Sequence, residues 1–222
     1  MFKVITKSFQ DIFSPTVLSF ILKVGVSSFV VVVAFLYFIW DQFSAFVGGL
    51  IASIPFIGSF SFVQEGSSFL VSLVVAYTLT IIVINIMTSL FAPKIIIKLA
   101  KKHYPYVEVK DESKITTSLY YTLKATALFL ILFILFLPII IFVPILGQIV
   151  MLWLWAILLK EPTFYDVSSL FKNIDKERLK KAKSTWIIAF LAATFNYIPV
   201  LNIFATLFSY ILFMHYILGK NS

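Results

Sequence analysis

Ala125–Leu159 reads ATALFLILFILFLPIIIFVPILGQIVMLWLWAILL, 35 residues without a charge. A water-facing helix needs a polar face, and this stretch has none, so it belongs in lipid. Near its middle stand Pro138 and then Val143-Pro144-Ile145-Leu146-Gly147. Proline removes a helical donor and glycine accepts turn geometry, so the stretch reads as two helices joined by a tight turn. Ser184–Gly219 repeats the plan around Tyr197-Ile198-Pro199-Val200-Leu201-Asn202. At ~1.5 Å per residue each arm measures about 26 Å before the turn is subtracted, against a hydrocarbon core of ~30 Å. The lengths favour hairpins that enter the membrane and return without emerging; four full crossings are the other reading. Nonhelical backbone at membrane depth must be buried in protein or line a wet cavity, so re-entrant tips have to meet each other or a pore.

The rest of the chain is built for the same solvent. Of 222 residues, 61% are apolar and 13% charged, and Phe alone occurs 25 times; the mean hydropathy is +1.02. Soluble domains are about half apolar and a quarter charged. This composition excludes a soluble enzyme, a nucleic-acid-binding module and a disordered regulator. The absence of Cys excludes a disulfide scaffold and thiolate chemistry. Val24–Trp40 and Gly66–Pro93 carry no charge. The first pattern reaches back to Pro15, past Lys23, whose long stem can snorkel to the headgroups. Segments 15–40 and 66–93 are thus two full transmembrane helices. Phe2, Ile5, Phe9 and Ile12 recur at helical spacing among Lys3, Lys7 and Gln10, which makes 1–13 an amphipathic helix at the membrane interface rather than a cleavable signal. The expected fold is therefore an all-α integral membrane protein, one membrane domain over 1–222, with two long transmembrane helices, helical hairpins at 125–159 and 184–219, and amphipathic interfacial helices.

The net charge of +8 is placed by topology. Lys94, Lys98, Lys101 and Lys102 follow the second span, Lys110, Lys114 and Lys124 precede the first hairpin, and Lys160 with the Lys176–Lys183 run separates the hairpins. The connection Asp41–Glu65 contains no Lys or Arg. By the positive-inside rule that connection is outside, and both termini and the basic segments are cytoplasmic. Two spans plus two hairpins satisfy this parity, and six full spans satisfy it equally. Ile54-Pro55-Phe56-Ile57-Gly58, ending the outer connection, looks like the hairpin tips. It is either a third copy of a repeated unit or simply how membrane turns are made.

At the tips the chain resembles a known family. Phe142-Val143-Pro144-Ile145-Leu146-Gly147-Gln148 is similar to the first-hairpin motif of the bacterial CysZ-type sulfate permeases, and Ile198-Pro199-Val200-Leu201-Asn202-Ile203-Phe204 to their second. Ala92-Pro93, closing the second span, resembles them too, and the order of elements matches from about Ser14 to Tyr216. The resemblance implies two spans with two hemi-penetrating hairpins, a bacterial inner-membrane location, homo-oligomers, and sulfate uptake without an ATPase. There are departures. Where those permeases tend to carry adjacent arginines at the start of the first span, this chain has Leu18 and Ser19, with Lys23 the cation nearby. Their small-residue patch after the second tip is replaced by Leu212-Phe213-Met214.

A dianion at membrane depth needs replacement donors or opposing charge. Helices starting near Pro144 and Pro199 would aim their N-termini inward, each with free N–H groups and about half a positive charge. Gln148, Asn196 and Asn202 add side-chain donors. The candidate substrate path is thus Pro144, Gly147, Gln148, Asn196, Pro199 and Asn202, with Lys23 a possible anion contact. The plainer alternative is that Asn202 caps its helix and Gln148 bonds a neighbour. Asn85 reads as an interhelical hydrogen bond, His215 as packed or interfacial, and His103 with Tyr104 as headgroup contacts. The two His are far apart in sequence, no cluster has metal-ligand spacing, and there is no Walker-type loop. No catalytic residue, metal or cofactor is expected. The expected partners are membrane lipids, an inorganic anion such as sulfate, and further copies of the chain, not nucleic acid. The function read is an oligomeric inner-membrane anion permease or channel, for sulfate. The alternative is a non-transporting membrane protein that organises lipids or partner proteins.

Overall fold

The computed structural model describes residues 1–52, 61–110, 115–198 and 201–221. Nine α-helices are assigned among them: α1 Phe2–Ile12, α2 Pro15–Phe38, α3 Trp40–Ala52, α4 Ser61–His103, α5 Ile115–Phe142, α6 Pro144–Ser169, α7 Lys176–Lys181, α8 Lys183–Thr194 and α9 Asn202–Asn221. A 3₁₀ turn covers Phe195–Tyr197. The β contact seen among these residues is a single antiparallel bridge, Val109 with Phe171. It ties the chain after α4 to the chain after α6 through Lys110 N–H to Leu170 O (2.8 Å) and Lys172 N–H to Glu108 O (2.9 Å). Helices are what lipid demands, because they satisfy their backbone internally. Five segments are long and apolar enough to cross a membrane: Pro15–Phe38, Val75–His103, Thr116–Ile140, Pro144–Ser169 and Asn202–Lys220. The protein is an all-α, multi-pass membrane protein.

Helix α4 runs ten residues past the Ala92-Pro93 pair expected to close it, with Pro93 inside the helix. Losing one N–H does not stop a helix whose Ala92, Ile96, Leu99 and Ala100 are all buried. The Ile54–Gly58 turn lies outside the described residues.

The chain divides into two compact units, Met1–Ser19 with Ser89–Ser222, and Phe20–Thr88. In the second, Val24, Val32 and Ile84 are buried while Phe29, Val30, Phe35 and Leu73 are exposed, the outward apolar surface that lipid covers.

The first unit is organised around α9. Within its apolar window 72% of α9 is buried, against 6% for α5. Helices α1, α6 and α8 all pack on it. Lipid is as apolar as leucine, so close packing rather than escape from water must hold such helices together. Small residues allow that approach, and Ala156 of α6 and Ala189, Ala192 and Ala193 of α8 are fully buried. Against them stand Phe208, Ile211, Leu212, Phe213 and Met214 of α9, each no more than 1% exposed. Helix α1 buries Ser8, Asp11 and Ile12. It meets α9 through Asp11, bonded to His215, and through Phe9, whose ring centroid lies 5.2 Å from that of Phe208, whereas Phe2 (82% exposed) remains available to lipid.

Both hairpins are present as paired helices, with arms that differ from the charge-free bounds. The arms α5 and α6 have 28 and 26 residues and continue beyond 125–159 at both ends. Ring pairs join them: Tyr121–Tyr165, Phe129–Trp155 and Phe136–Trp153, with centroids 4.9, 5.9 and 6.0 Å apart. Glu161, admitted by this extension, is held in ion pairs. Lys124 lies 3.5 Å and Lys180 3.7 Å from Glu161. The second hairpin is unequal, 12 residues in α8 against 20 in α9.

Candidate functional site

The first tip is a single residue wide. Val143 separates α5 from α6, and Pro144 opens α6 with its fixed φ suited to the first helical position. No side chain caps this end, so the N–H groups of Ile145 and Leu146 lack the intrahelical partners that later residues have. The first bond of the turn is Gly147 N–H to Val143 O at 2.7 Å. Gly147 lets the arms close: a Cβ there would stand 2.8 Å from both Cα and O of Ile140. Phe142 and Ile145 are each 80% exposed, so the outer face of the tip is apolar and uncovered.

The second tip comes to meet the first. Tyr197, in the 3₁₀ turn, donates its hydroxyl to the Gln148 carbonyl at 3.3 Å. Between the two lies a cavity of about 310 Å³, lined by Gln148 and Met151 of α6, Asn196 and Tyr197 of the turn, and Phe133, Ile140 and Trp155. Of the residues singled out as a substrate path, the fold therefore brings Gln148 and Asn196 to one cavity, with Pro144 and Gly147 forming the turn beside it. Asn202 is the first residue of α9, its N–H bonded to Ile198 O at 3.1 Å, and is not among the cavity's lining. Pro199 lies outside the described residues. Lys23 is exposed on α2 within the Phe20–Thr88 unit. Gln148 reaches the second tip through its backbone oxygen, a contact that side-chain reasoning does not anticipate.

A second polar cluster was not legible in the sequence. Asp11 of α1 accepts hydrogen bonds from His103 Nε2 and His215 Nε2, each at 2.9 Å and each to a different carboxylate oxygen. His215 is fully buried and Asp11 is 2% exposed, while His103 is 20% exposed. Tyr104 OH lies 3.1 Å from His215 Nδ1, and Lys102 Nζ 3.9 Å from Asp11. Burial alone would raise the Asp11 carboxyl. The hydrogen bonds from His215 and His103, with their charge, outweigh it and hold the group below its ordinary value of 3.8. The Tyr104 hydroxyl is pushed up, first by burial and then by the Asp11 charge. So Lys101-Lys102-His103, which has no acidic partner nearby in sequence, acquires one from the first helix, and His103 and Tyr104 face protein as well as the surface.

The fold and its tips define a class: a multi-pass α-helical membrane protein whose two helical hairpins meet at their turns. Within that class the chain belongs to the Sulfate transporter CysZ/Etoposide-induced protein 2.4 family, which it matches over residues 4–206. The resemblance read from the tip motifs is borne out, and the family is one of transporters rather than enzymes. Comparison with curated proteins and with solved structures gave no match.

Proposed function

We propose that this protein is an oligomeric anion permease of the bacterial inner membrane, that it passes sulfate, and that the anion path runs by the two hairpin tips. The observation that carries the reading is the cavity shared by Gln148 and Asn196 beside the uncapped start of α6. Together they offer two amide donors and the positive end of a helix dipole, the means by which broken helices hold anions at membrane depth. The short arm α8 supports re-entry, since 12 residues span roughly 18 Å, well under the ~30 Å core. The exposed Phe142 and Ile145 support association of several copies, which would cover tip backbone that lipid cannot satisfy. The basic segments keep both termini on the cytoplasmic side.

One observation favours the non-transporting reading: among the described residues, those lining the tip cavity include no cation. Purified protein in liposomes separates the two. The permease reading expects uptake of radiolabelled sulfate above empty liposomes, reduced by excess unlabelled sulfate. Well-folded protein that takes up none would leave the organising role.

A further inference from the structure

We propose that Asp11, His103 and His215 form a binding site for a divalent first-row transition ion, with zinc the best match. Their ligand atoms lie within 4.8 Å of one another, and each imidazole already points Nε2 at the carboxylate from 2.9 Å. Tetrahedral zinc with bonds of 2.0–2.2 Å holds its ligand atoms about 3.3 Å apart. An ion between the three therefore asks the 2.9 Å contacts to open by a few tenths of an ångström, and any wider separation, none above 4.8 Å, to close toward about 3.3 Å. Two imidazoles and one carboxylate suit zinc and its neighbours; magnesium and calcium want oxygen donors.

The surroundings are those of a ligating histidine. Such rings are held by a hydrogen bond on the other nitrogen, and Tyr104 OH occupies that place on His215 Nδ1. In the neutral metal-free ring, Nε2–H donates to Asp11 and Tyr104 donates to Nδ1. With an ion on Nε2 the ring proton moves to Nδ1 and Tyr104 becomes the acceptor, so the same contact serves both states. His103 gives access. It lines a cavity of about 540 Å³ together with Lys7, Tyr104 and Glu108, with room for a water as fourth ligand. Lys102, the cation nearest the carboxylate, is 63% exposed on a flexible stem and can swing away. The ion would clip α1, the end of α4 and α9, three helices that no short stretch of sequence connects.

The test uses tag-free protein in mild detergent, stripped with chelator, since His103 and His215 are then its only imidazoles. Zinc is titrated by equilibrium dialysis with elemental analysis, and cobalt by its visible absorption. The expected result is one zinc per chain, a tetrahedral cobalt spectrum, and no displacement by magnesium or calcium. His103→Ala and Asp11→Asn should each abolish stoichiometric binding. Tyr104→Phe should weaken it about ten- to hundred-fold while keeping the stoichiometry. His103 is chosen over the fully buried His215 so that folding survives. Parent protein that retains no zinc, or His103→Ala protein that binds as the parent does, would overturn the site. Sulfate flux plays no part in these readouts, so the site stands or falls independently of the transport proposal.

Discussion

Asp11 and His215, 204 positions apart in the chain, meet at 2.9 Å inside the protein. The contact joins the first helix to the last and gives the imidazole of α9, which is shut off from solvent, its carboxylate partner. Replacing Asp11 with Ala leaves a buried N–H without an acceptor. The expected cost is about 1–3 kcal/mol, read as a lower unfolding midpoint in metal-free protein. Limited proteolysis should show α1 cut earlier than in the parent. A midpoint and cleavage pattern unchanged from the parent would mean that α1 is held by other contacts.

Gly147 and Gly25 should answer the same substitution with opposite signs. A Cβ at Gly147 meets the backbone of Ile140 at 2.8 Å, so one of the arms has to move. Gly147→Ala should destabilise by about 1–3 kcal/mol. At Gly25 nothing among the described residues lies within 4 Å of the added carbon, and Gly25→Ala should stabilise by roughly 0.5–1 kcal/mol through helix propensity. Unfolding in detergent measures both, and equal effects would refute the tight first turn.

Asp166 should be a structural lock between three helices. It accepts from Ser118 of α5 at 2.5 Å and from the buried Tyr210 of α9 at 2.8 Å. Asp166→Ala orphans both hydroxyls and should cost more than Tyr210→Phe, which leaves the Ser118 bond in place; each lost bond to a charged acceptor is worth about 1.5–3 kcal/mol. The same unfolding assay ranks the variants. If Tyr210→Phe costs as much as Asp166→Ala, the carboxylate acts through Tyr210 alone.

Orientation is testable because the chain has no native cysteine. Ser44, exposed on α3 in the connection that lacks Lys and Arg, should react as cysteine with an impermeant reagent applied outside whole cells. A cysteine at Lys181 should not. The reverse pattern would invert the protein.

The two hairpins were legible because Pro144 and Gly147 interrupt one otherwise featureless apolar run, and Pro199 and Asn202 the other. Their arm lengths were not, because absence of charge marks where lipid is tolerated rather than where a helix ends; Lys124 and Glu161 lie inside helices and neutralise each other. Nor could the central place of α9 be read, since a helix apolar all round looks the same in lipid and in protein. The Asp11–His103–His215 cluster has no short-range spacing to betray it. Its one signal was an ionisable residue in each of two apolar settings, His215 within α9 and Asp11 beside Ile12. Such residues are costly in lipid and imply a partner. In the tip cavity, sequence supplied Gln148 and Asn196, while the Tyr197–Gln148 backbone contact that joins the tips needed the fold.

The most direct measurement of the transport claim is initial sulfate flux into liposomes for the parent, Gln148→Leu, Asn196→Leu and Lys181→Gln, with folding checked for each. A donor lost from a charged partner in the limiting step costs ~1.5–3 kcal/mol, about ten- to hundred-fold in rate. The account predicts losses of that size for Gln148→Leu and Asn196→Leu. It predicts near-parent flux for Lys181→Gln, because Lys181 is 80% exposed and paired on the surface with Glu177 at 3.7 Å. Equal flux from all four proteins would contradict an anion path at the hairpin tips.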